Sequence, residues 1–87
     1  MWSVEFTADA ARDLRGLDPQ VGRDILAYLR KRIATDDSPR RFGKALRGDM
    51  QGLWRYRVGD FRLICLIEDE KLVVLVLRAA HRKEVYE

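Results

Sequence analysis

Cysteine is nearly absent from this 87-residue chain: Cys65 stands alone, so no intramolecular disulfide can form and a reducing, cytoplasmic setting is expected. Histidine is equally scarce, with His81 the only one, and no His, Cys, Asp or Glu cluster has metal-ligand spacing. Neither a metal nor another cofactor is expected. Long apolar runs are also missing. Nowhere do about 18 apolar residues follow one another, and the opening Met-Trp-Ser-Val-Glu-Phe has no basic n-region and no apolar stretch of signal-peptide length. Membrane insertion, or export by such a signal, is therefore not expected. Only two prolines occur, with no repeat and no low-complexity segment, a composition unlike that of a disordered tail.

What remains is 47% hydrophobic and 36% charged, enough for one folded domain over residues 1–87. A domain this small buries only about 60–65% of the surface that its unfolded chain exposes, so a bound partner can raise its stability appreciably.

The net charge of +3 is unevenly spread. Residues 1–37 and 63–87 are each −1, whereas residues 38–62 carry Arg40, Arg41, Lys44, Arg47, Arg55, Arg57 and Arg62 against Asp49 and Asp60, a net of +5. Six of those seven cations are arginine, whose planar fork grips phosphate with paired hydrogen bonds. A polyanion is the natural partner.

Periodicity supplies the scaffold. Trp2, Val4 and Phe6 alternate with polar residues, as in a short strand. Thr7 is placed to cap a helix reaching about Gly16, and Asp18-Pro19 opens a second. Val21, Ile25, Tyr28, Leu29 and Ile33 give that helix one apolar face as far as about Ala34. Residues 35–39 read as a loop and residues 40–48 as at most a short helical turn. Residues 53–58, 61–68 and 72–79 then read as three antiparallel strands. The fold class expected is α+β: an N-terminal strand and a helical hairpin packed on an antiparallel β-sheet.

The two-residue turn Gly59-Asp60 fixes a register in which Arg57 faces Arg62, Tyr56 faces Leu63 and Arg55 faces Ile64. Trp54, Tyr56, Val58, Phe61, Leu63, Cys65 and Ile67 then share the core face, which favours packing over base stacking for Trp54 and Tyr56. Arg55, Arg57 and Arg62 converge on the other face. Two arginines opposed on one ladder repel each other, so the fold itself gains nothing from the pair. Three converging cations make a cradle for phosphate or an oxyanion, although solvated arginines on an open sheet face would give the same pattern.

The runs Lys44-Ala45-Leu46-Arg47-Gly48, then residues 53–64 from Leu-Trp-Arg-Tyr-Arg-Val-Gly-Asp to Phe-Arg-Leu-Ile, and the ending His81-Arg82-Lys83-Glu84-Val85-Tyr86, resemble the RelE branch of the RelE/ParE toxin superfamily. The resemblance covers nearly the whole chain. It implies an endoribonuclease of a type II toxin-antitoxin system, one that enters the vacant ribosomal A site and cuts the mRNA codon displayed there. Its partners would be a cognate antitoxin protein, the mRNA and ribosomal RNA, with no membrane. The family's catalytic group falls on Arg55, Arg57, Arg62 and Tyr86, with its C-terminal basic position at His81 or Arg82.

Chemistry supports that transfer. RNA carries its own nucleophile: the ribose 2′-hydroxyl attacks the adjacent phosphate once a base takes its proton, an acid protonates the leaving 5′-oxygen, and cations stabilise the charge that builds. On this reading Arg57 and Arg62 hold the scissile phosphate and Arg55 holds it or assists the base. His81 and Tyr86 transfer protons or stack on bases, while Lys44, Arg47 and Arg82 contact the RNA backbone, messenger or ribosomal. Two alternatives share the scaffold, a ParE-like toxin that inhibits DNA gyrase and a non-enzymatic RNA-binding module. The strands are also apolar on both faces, since Ile64 and Leu66 oppose Leu63 and Cys65. Either an antitoxin segment docks on the exposed apolar surface, or residues 40–48 fold back and cover it.

Overall fold

The computed structural model describes residues 1–85, and its elements follow the local signals closely. Strand β1 (Ser3–Phe6) runs into helix α1 (Ala8–Arg15). The Thr7 hydroxyl caps that helix by accepting from the Ala10 N–H at 3.1 Å. Helix α2 (Pro19–Tyr28) starts under Asp18, whose carboxylate accepts from the Gln20 N–H at 2.9 Å, with proline at the first turn. It does not reach Ala34 as an α-helix, because Leu29–Ile33 widens into a π turn that keeps Leu29 and Ile33 buried.

Strands β2 (Lys44–Ala45), β3 (Trp54–Val58), β4 (Phe61–Glu68) and β5 (Val73–His81) complete one five-stranded sheet in the order β1-β5-β4-β3-β2. All neighbours are antiparallel except β1 and β5, which run parallel. The chain is thus α+β, with its helices on one face of the sheet. Ala10, Ile25, Leu29 and Ile33 meet Tyr56, Leu63, Cys65, Val74 and Val76 in the core.

The free edge of β5 beyond Phe6 passes to α1. Asp13 accepts from the Ala79 N–H at 2.9 Å and pairs with Arg78 at 2.8 Å, which occupies backbone that an unfinished edge would expose. The Arg78 hydrogen bond holds the Asp13 carboxyl below the usual aspartate range.

Two expectations need refinement. The short helical turn expected within residues 40–48 is a 3₁₀ turn at Pro39–Arg41, and residues 42–47 are not helical but contain the edge strand Lys44–Ala45. The second sheet face is also less open than the pattern implies, for Ile64 is only 3% exposed, whereas Leu66 remains 36% exposed.

Candidate functional site

The hairpin turn sets the site. Gly59 takes φ +58, a left-handed conformation open to glycine, and the strands leave it with Val58 opposite Phe61 and Arg57 opposite Arg62. Arg55 stands opposite Ile64 on the same face. The inner face carries Tyr56, Leu63 and Cys65, all fully buried, so the sorting expected from the turn is the one observed. Burial also pushes the Cys65 thiol up, which keeps it protonated and inert as a nucleophile.

The three arginines are not alike. Arg57 is exposed, whereas Arg55 and Arg62 are 5% and 8% exposed, so the three do not form a uniform array on an open sheet face. Arg62 folds back over the turn, its Nη1 donating to the carbonyls of Gly59 at 3.1 Å and Phe61 at 3.0 Å. The hairpin therefore uses this guanidinium structurally, contrary to the expectation that the fold gains nothing from it.

Strand β2 adds what the sequence pattern did not reveal. Lys44 lies opposite Arg55, which brings a fourth cation onto the arginine face. The following residues curl into a cleft of about 700 Å³ lined by Lys44, Leu46, Arg47, Asp49, Met50 and Arg55. Lys44, Arg55, Arg57 and Arg62 thus share one face of the sheet, with Arg47 in the cleft at its edge.

Two residues named from sequence lie elsewhere. Arg82 sits at the turn, its backbone N–H donating to the Asp60 carbonyl at 2.7 Å and its side chain 3.8 Å from the Asp60 carboxylate. His81 pairs with Phe61 across the β4–β5 ladder, ring edge to ring face at 5.4 Å, which puts it on the helix-bearing side of the pleat. The ladder shift between Ile64 and Cys65 is the cause. One extra residue in β5 reverses the facing of everything after it, so that Ala80, not His81, stands beside Arg62. The His81 Nδ1 accepts from the Lys83 N–H at 3.2 Å, leaving Nε2 as the proton-bearing nitrogen of the neutral ring. Tyr86 lies outside the described residues.

Among the described residues, no group of three His, Cys, Asp or Glu side chains could hold a metal ion, and no helix is long and apolar enough to cross a membrane.

Comparison with known proteins agrees with this fold. Residues 4–86 match the family described as ParE toxin of type II toxin-antitoxin system, parDE. The chain is 34% identical to Toxin RelG of Mycobacterium tuberculosis over 98% of its own length and 95% of that protein's. It is 33% identical to Toxin RelE of the same organism, over 98% and 86%. Among solved structures it resembles the toxin-antitoxin complex RelBE2 from M. tuberculosis, with a TM-score of 0.85 and 34% identity over 93% of this chain and 91% of that one.

Proposed function

This chain belongs to the ParE toxin family of type II toxin-antitoxin systems as a RelE-like member, and we propose that it is an mRNA endoribonuclease acting at the ribosomal A site. The observation that carries the reading is the β3–β4 register, which brings Arg55, Arg57 and Arg62 onto one face, together with β2, which adds Lys44.

Arg57 and Arg62 flank the scissile phosphate and stabilise its developing charge, while Arg55 holds it from the interior side or assists proton removal from the 2′-hydroxyl. Attack by that oxygen expels the 5′-oxygen and leaves a 2′,3′-cyclic phosphate; no outside nucleophile is needed and no step calls for a metal. The proton for the leaving oxygen comes from His81 at the end of β5, acting as the imidazolium, or from the Tyr86 hydroxyl. Lys44, Arg47 and Arg82 grip flanking backbone, messenger or ribosomal. RNA carrying a single 2′-deoxyribose at the cleavage position tests the chemistry. The reading requires that it bind normally and stay intact, and cutting at that position would refute it.

The partner follows from the same face. The relative solved as a toxin-antitoxin complex supports an antitoxin for this chain. Half-buried Leu75 and Leu77 and the more exposed Leu66 offer apolar contact near the cations, suited to an amphipathic segment with acidic residues. Unchanged hydrogen exchange across β4 and β5 on adding the antitoxin would exclude docking there. The ParE description of the matched family supports one second reading, in which the same toxin inhibits DNA gyrase.

A further inference from the structure

The inner residues of β3 do more than fill the core. Tyr56 is fully buried, and its hydroxyl donates to the Pro39 carbonyl at 2.7 Å. Burial pushes that hydroxyl well above the ordinary tyrosine range, so it stays a donor. Trp54, on the same face, donates its Nε1–H to the Phe42 carbonyl at 2.8 Å. Both acceptors belong to one short segment, the 3₁₀ turn Pro39–Arg41 and the residues that lead from it into strand β2. A phenyl ring at position 56 would fill nearly the same space, and one at position 54 part of it, and neither would ask for an acceptor.

The next residue shows what this anchoring achieves. Gly43 has φ +77 and lies so close over β3 that a Cβ would collide with the Arg55 carbonyl oxygen and stand 2.7 Å from the Trp54 indole nitrogen. Here the chain crosses the sheet edge, from the side of the aromatic tips to the side of the cations. One residue later Lys44 pairs opposite Arg55, and the Leu46 N–H closes β2 on the Leu53 carbonyl at 3.0 Å. Arg47 then enters the cleft that Arg55 lines. The position of the loop therefore sets the position of two cations that the short strand alone, two residues long, holds weakly.

We propose that the Trp54 indole N–H and the Tyr56 hydroxyl are positioning groups for the RNA site: through Phe42 and Pro39 they hold the crossing at Gly43 that sets Lys44 and Arg47 beside Arg55. The inference rests on the RNA-cleaving reading given above, and its geometric half can be tested without RNA.

The test uses Trp54→Phe and Tyr56→Phe, each made in the natural chain and in a Lys44→Ala/Arg47→Ala background. Each change weakens binding of a non-cleavable RNA by about fivefold, the size of one lost buried hydrogen bond. It also raises KM without lowering kcat, and flattens the salt dependence of binding. In the doubly substituted background the same changes alter binding by less than about twofold, because the cations they position are gone. Equal losses in both backgrounds, or a fall in kcat alone, would overturn the proposal. Hydrogen exchange at the Leu46 amide is the readout free of RNA. It accelerates in both phenylalanine variants while the amides of Val74 and Val76 hold their protection. Unchanged exchange at Leu46 would sink this inference alone, whereas a natural chain that neither binds nor cuts RNA would sink the functional reading and leave the exchange result standing.

Discussion

Arg57 and Arg62 face each other directly across the β3–β4 ladder, one exposed and the other buried over the turn. Like charges so placed cost about 0.2–1 kcal/mol relative to neutral pairs, and the buried Arg62 recovers part of that through its bonds to the Gly59 and Phe61 carbonyls. The two alanine variants should therefore separate. Both lower cleavage by about a hundredfold, the effect of losing one preorganised charge-stabilising donor. In chemical denaturation Arg57→Ala is as stable as the natural chain or slightly more so, while Arg62→Ala loses about 1 kcal/mol. Equal stabilities would mean that the turn bonds contribute nothing.

His81 packs edge to face against Phe61 rather than among the arginines. If it supplies the leaving-group proton, His81→Gln lowers single-turnover cleavage by about a hundredfold, within the range for general acid-base work, and leaves ribosome binding nearly unchanged. Equal losses in cleavage and binding would make it a contact residue. Full activity would assign the ring to packing alone.

The Asp13 contacts to Arg78 and Ala79 carry a pH signature. With its folded-state pKa below the unfolded value, Asp13 contributes stability that is fully present above about pH 4, the ordinary aspartate range. That contribution is lost as pH falls through the lower folded-state value. Asp13→Asn should destabilise the fold at neutral pH, and the gap from the natural chain should narrow on acidification. A gap that widens toward low pH would contradict this assignment.

The hairpin was legible because Gly59-Asp60 admits one register, and that register alone divides the arginines from the aromatics. The caps at Thr7 and Asp18 were legible for the same local reason: a side-chain oxygen satisfies a helix N–H within three residues. Strand β2 was not, since a two-residue strand has no period to read, and its place opposite β3 depends on the Gly43 crossing and two long-range hydrogen bonds. The side on which His81 falls was hidden as well, for one bulge in β5 reverses it without leaving a mark in composition. Nothing in a residue pattern shows whether an arginine on an outer face is solvated or folded down. Arg62 and Arg57, with the same alternation, differ on that point.

The central claim is that the cationic face of this toxin cuts mRNA on the ribosome. Its most direct measurement adds the purified protein to ribosomes programmed with a defined message and an empty A site. The new RNA ends are mapped, and gyrase supercoiling is followed in parallel. The account predicts cleavage within the A-site codon, 2′,3′-cyclic phosphate at the upstream product end, loss of both in Arg57→Ala, and unchanged supercoiling. Intact mRNA together with inhibited supercoiling would contradict it.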